Sequence, residues 1–168
     1  MQLRPVDGSD SRHGSILPGS LKLYGRTATI VKARGRGIMS IRKRCYRHPG
    51  DVEPIGGFLF RTYPVTRDGP HRNWLQPRWE YAHYHPWLDT EHLDRWAVWE
   101  ADRRIVGVVH YEHHMGLAYV QLDPAVSGIR REMLEHAARH LRREVESGAA
   151  VDVYLDDDDE AFRREAAD

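Results

Sequence analysis

The sequence holds a single cysteine, Cys45, in 168 residues, so no internal disulfide can form. That cysteine usage fits a reducing compartment. No apolar run approaches the roughly 20 residues that cross a bilayer. The first twenty residues are polar and broken by Pro5, Gly8, Gly14 and Pro18, which leaves no apolar secretory segment there. The expectation is therefore a cytoplasmic protein with no membrane partner. Neither charge is in excess, with Lys plus Arg and Asp plus Glu at 25 each. A chain without net charge has no overall pull on nucleic acid, and that partner is disfavoured.

What is present is unevenly distributed. Residues 1–38 carry Arg4, Arg12, Lys22, Arg26, Lys32, Arg34 and Arg36 against only Asp7 and Asp10. This segment reads as a basic, poorly ordered extension, with a short hairpin over Leu21–Ala33 and a linker at Arg34–Gly37. The texture changes at Met39, which is also a candidate for the natural start; intact mass of the native protein decides that. Residues 39–168 are long enough for one domain with a real core.

Within that domain, alternation over Ile38–Cys45 suggests a strand, and DVEPIGGFLFRTY a first helix with Pro54 near its start. The aromatic segment Asn73–Asp89 is expected to be helical from about Pro77 and to end before Pro86. Arg95–Ala101, Arg104–His113 and Leu117–Asp123 read as an antiparallel three-strand meander. Met133, Leu134, Ala137, Ala138 and Leu141 form one apolar face of a helix expected from Arg130 to about Glu146, stopped by Gly148. Val151–Asp157 reads as another strand. The acids Asp156–Glu160 supply the N-cap and first turn of a last helix. This is an α+β order.

The stretch VQLDPAVSGIRREMLEHAARHL passes from strand through a tight loop to a helix start, where unpaired N–H groups and the helix dipole suit an anion. The loop has only one glycine, Gly128, followed by Arg130 and Arg131. Arginines in a first turn oppose the dipole unless an anion is present, so their charge stands in for amides that more glycines would expose.

EADRRIVGVVHYEHHMGLAYVQLDP, followed by EMLEHAARHL and VDVYLDDDDEAFRR, resembles a GNAT-type acyl-CoA N-acyltransferase from about Met39 onward. The resemblance implies a mixed, mostly antiparallel sheet flanked by helices, here without the family's last strands. It also implies acetyl-CoA as cosubstrate and an amine of a small molecule or peptide as acceptor. In that family the pantetheine arm pairs with a splayed strand like an extra strand. Carried over, that strand is Leu117–Leu122, with Val120, Gln121 and Leu122 at the cofactor and the main chain of Val120 and Leu122 as its partners. Ser127, Gly128, Ile129, Arg130 and Arg131 would hold the pyrophosphate. Three departures stand out: the loop is shortened and glycine-poor, Phe162 and its neighbours include no tyrosine where many members have one, and the chain ends early. A non-catalytic domain, serving as scaffold or half of a tandem enzyme, is the alternative; a second copy or a tandem domain is then the partner.

Acyl transfer to an amine needs a proton acceptor. His110 and Glu112 share one strand face and are the candidate catalytic pair, unless that face packs on a helix and they are ordinary satisfied polar groups. In the family that the chain resembles, the two helices after the first strand roof the acceptor site, which implies Trp74, Trp79, Tyr84 and His85 as the candidate substrate wall, with Trp79 and Tyr84 equally readable as core anchors. Eleven histidines raise a metal question. His136 and His140 lack the glutamate of HExxH, and their positions suggest a solvated helix flank, so no metal site is expected.

Overall fold

A computed structural model describes residues 30–31, 39–126, 128–146 and 148–167. Most of the basic extension, and Ser127 of the anticipated phosphate loop, lie outside these residues. Of the expected hairpin, the pair β1 (Ile30–Val31) is described, antiparallel to the start of β2 (Met39–Cys45).

After β2 come helix α1 (Val52–Thr66) and helix α2 (Gln76–Tyr84). Helix α1 runs one turn further than the sequence suggests, because Pro64 falls in its last turn, where the Arg67 N–H still reaches the Tyr63 carbonyl at 2.8 Å. Pro77 opens α2, where its missing N–H removes nothing from the helix ladder. The meander is β3 (Ala97–Ala101), β4 (Arg104–His110) and β5 (Leu117–Leu122). Asp102 and Arg103 turn the first hairpin with φ of 49° and 64°, the twist a two-residue turn needs.

Helix α3 (Arg130–His140) is shorter than expected. Leu141 is the last residue of its apolar face to be buried, and the charged residues that follow form the hairpin β6 (Arg143–Val145) and β7 (Gly148–Ala150) instead. Gly148, with φ of 115°, therefore belongs to a hairpin and does not end the helix. Strand β8 (Asp152–Tyr154) is also shorter than the sequence suggests, and α4 (Glu160–Ala167) follows it. The anticipated acidic cap is found: buried Asp159 accepts from the Phe162 N–H at 3.1 Å.

The sheet order is β1-β2-β3-β4-β5-β8, antiparallel throughout except for the parallel β5–β8 pair. Helices α1 and α2 cover the face that carries His110, where the Trp79 ring meets the imidazole edge at 5.1 Å. Helix α3 covers the other face, coming so close at Gly107 that an added Cβ would sit 3.0 Å from Met133 Cε and 3.3 Å from Ile129 Cδ1. Trp79, Trp96, Trp99, Phe58 and Phe162 anchor the core on the two sides.

Candidate functional site

Strands β5 and β8 pair only from Leu117–Asp152 to Tyr119–Tyr154. Strand β5 then continues through Val120, Gln121 and Leu122, while β8 ends. A cleft of about 230 Å³ opens at this point. Its lining includes Tyr119, Val120 and Gln121 from β5, Tyr154 and Asp156 from the other side, and His71–Leu75 with Arg78 above.

The segment before α2 docks on the outer edge of β5 through side chains. The Asn73 carboxamide makes a two-point pair with Leu122: the Leu122 N–H donates to Oδ1 at 2.8 Å, and Nδ2 donates to the Leu122 carbonyl at 3.0 Å. Nδ2 also donates to Thr62 Oγ1 at 2.8 Å. An amide side chain thus supplies the donor and acceptor that a neighbouring strand would have supplied. The next residue is held as well, since the Trp74 N–H donates to Gln121 Oε1 at 2.7 Å.

His110 completes this network from beneath. Gln121 Nε2 donates to His110 Nε2 at 3.1 Å, and His110 Nδ1 donates to the Tyr111 carbonyl at 3.0 Å. The ring is wholly buried, and burial lowers its pKa to about 3. Both nitrogens are committed and the residue does not line the cleft. Of the two sequence readings of His110, these contacts fit the satisfied polar group: its strand face packs under α2, and it positions Gln121. Strand β4 ends at His110, short of the expected His113, so Glu112 lies past it, where it receives Arg78 Nε at 3.1 Å, Arg78 Nη2 at 2.9 Å and the Tyr119 hydroxyl at 3.2 Å. Burial alone would raise the Glu112 pKa; the Arg78 fork outweighs it and the carboxyl is lowered, which makes it a weak base.

The four aromatic candidates separate. Trp74 is buried and lines the cleft, with Arg78 3.9 Å over its ring. Trp79 is wholly buried and donates to the Val52 carbonyl at 2.9 Å, so it is a core anchor. Tyr84 is exposed on another side of α2, and His85 sits among Tyr81, Trp87 and His113. Of the anticipated phosphate loop, Gly128 is exposed, Ile129 is buried and its carbonyl accepts the Met133 N–H at 3.0 Å, and Arg131 is exposed. The Arg130 guanidinium lies 5.1 Å over the Phe162 ring.

Sequence reasoning misses Asn73 and the approach of His71 to Asp159. His71 Nδ1 lies 3.2 Å from Asp159 Oδ2, both side chains nearly buried, at an angle that makes no hydrogen bond. Burial lowers the His71 pKa, partly offset by Asp159 and Asp156 and reinforced by Arg130. His136, expected on a solvated flank, is buried instead: Nε2 donates to the Arg95 carbonyl at 2.8 Å, and the ring meets Trp99 edge-on at 5.8 Å. Among the described residues no group of His, Cys, Asp or Glu is arranged to hold a metal, and no helix is long and apolar enough to cross a membrane. No family model matches the chain, and no curated protein matches it.

Proposed function

We propose that the chain is an acyl-CoA-dependent N-acyltransferase domain of GNAT type, passing an acetyl group from acetyl-CoA to an amine in the β5–β8 cleft. The carrying observation is the parallel strand pair that stops at Tyr119–Tyr154 and opens into a lined cleft. A β-edge of this kind accepts an extended chain containing amides, as the pantetheine arm is. The Asn73 carboxamide is itself such an amide on the main chain of Leu122, and in this reading the cofactor replaces it as the 71–75 segment lifts.

The amine lone pair attacks the thioester carbonyl, forming a C–N bond; the C–S bond then breaks and the thiolate leaves. In this reading the Tyr154 phenol, on the cleft wall and 57 % exposed, returns a proton to the thiolate. Neither His110 nor Glu112 takes a proton in this reading: the acceptor enters as the neutral amine, the surplus proton on its nitrogen passes to water once the C–N bond has formed, and water returns a proton to the Tyr154 phenolate. Acetyl-CoA at 100 times its Kd would add about 2.7 kcal/mol to folded stability, read as a rise in melting temperature. An unchanged Tm at saturating acetyl-CoA removes the proposal.

The alternative is a non-catalytic domain on the same fold. The capped Leu122 main chain and the two committed candidate bases favour it. It differs in outcome: no acetyl-CoA binding, and Asn73 retained on β5 under all conditions.

A further inference from the structure

A second cavity, of about 600 Å³, lies between α1 and α2, lined by His48, Pro49, Val52, Glu53, Gly56, Gln76, Glu80, His83 and Tyr84. At roughly 100° per residue, Gln76, Glu80 and His83 project from the side of α2 opposite Arg78, which lines the first cleft. The helix therefore separates the two spaces. Gly56 lies on the floor, 3.6 Å from the Gln76 side chain measured from where a Cβ would stand, an ordinary van der Waals distance.

Among the described residues, the charged side chains that line this groove are Glu53 and Glu80, and no lysine or arginine does. Glu80 Oε1 receives the neutral Gln76 amide at 2.8 Å. His83 does not offset the carboxylates. His83 Nδ1 donates to the Trp79 carbonyl at 2.8 Å, which leaves Nε2 to accept the Tyr46 hydroxyl proton at 3.0 Å. With its single proton so placed the ring is neutral, and burial lowers its pKa further. The His48 ring lies nearly parallel to it, 6.4 Å away and tilted by 10°, with its Nδ1 3.3 Å from the Tyr46 oxygen. Aromatic faces, two carboxylates and an apolar strip at Pro49 and Val52 thus bound one space.

We infer that the α1–α2 groove is a binding site for a small organic cation, an alkylammonium whose charged head lies between Glu53 and Glu80 and whose apolar part rests on Pro49 and Val52. Carboxylates attract the head, and an anion of the same shape is repelled. The wall of α2 keeps this ligand away from the β5–β8 cleft, so it is not the acyl acceptor of the proposed reaction. The inference stands independently of that reaction.

The test is a ¹H–¹⁵N NMR titration of the full chain with n-butylammonium, with 1-butanol and butyrate as neutral and anionic analogues. Saturable shifts at the Gly56 amide and the His83 ring are expected with n-butylammonium, with butanol at least several-fold weaker and butyrate weaker still. Glu53→Gln with Glu80→Gln is expected to weaken n-butylammonium about tenfold or more, while the spectrum elsewhere stays that of the folded protein, because both side chains are exposed. Absence of a saturable shift, equal binding of 1-butanol, or an unaltered affinity in the double variant each overturn the inference.

Discussion

The two ends of strand β5 are held by different means. At its start, from Leu117 to Tyr119, main-chain strands lie on both sides: β8 in parallel, and β4 antiparallel at Tyr119. At its finish, Val120–Leu122 keeps β4 on one side, but the outer groups of Leu122 are satisfied by the Asn73 carboxamide. A strand ladder is cooperative and is lost only when the sheet opens. A side chain can leave and be replaced by another amide at the cost of one local rearrangement. In the proposed function, the exchangeable end is the one that the cofactor joins.

Breaking the exchangeable end has the largest expected effect. Asn73→Ala leaves the buried Leu122 N–H and carbonyl and Thr62 Oγ1 short of partners, a loss of about 2–5 kcal/mol. Urea unfolding measures it, and Leu117→Ala at the partly exposed start of the strand is the control, expected within about 1 kcal/mol. A loss below that control would mean that water serves Leu122 as well as Asn73 does.

Protonation tests the support beneath that end. Burial lowers the pKa of His110 to about 3, and that of His136, on the other face, likewise to about 3. Both lie below the unfolded value, so the unfolded chain takes up protons first as pH falls. Stability is full above about pH 6.5 and declines toward pH 3, with roughly 2 kcal/mol lost per histidine by pH 5. His110→Gln should flatten its share of that decline, measured as the difference between urea midpoints at pH 7 and pH 5. A wild-type profile level over this interval would contradict the buried, neutral assignment.

Smaller effects fall on the ladder side of the comparison. Gly107→Val forces Met133 and Ile129 aside where α3 approaches β4, at about 1–3 kcal/mol by thermal unfolding. Arg42, exposed and paired with Glu100 at 3.3 Å, marks the lower limit: Arg42→Ala should change stability by about 0.5 kcal/mol or less.

The same contrast explains what is legible in the sequence. The meander is readable because β-branched residues recur from Arg95 to Leu122 and Asp102-Arg103 breaks them, which are local signals. The sequence extends α3 too far because Arg142–Glu146 suits an exposed helix as well as a hairpin; only the end of the apolar face at Leu141 distinguishes them. The strand period puts His110 and Glu112 on one face but does not say which neighbour covers it, so His110 reads equally as a base and as a satisfied buried group. Asn73 belongs to no motif, and His71 meets Asp159 only because the chain returns through β8 to α4. Contacts between such distant residues leave no trace in spacing or composition. The cap at Asp159 is legible because it depends on the next few residues alone.

The most direct measurement of the central claim is the behaviour of the Val120 and Leu122 amides and the Asn73 side-chain amide by ¹H–¹⁵N NMR as acetyl-CoA is added. Saturable shifts are expected at all three, with the Asn73 NH₂ resonances moving toward solvent values while the Leu122 amide stays protected from exchange by its new partner. Unmoved resonances at saturating acetyl-CoA, or shifts confined to exposed residues away from β5, would contradict it.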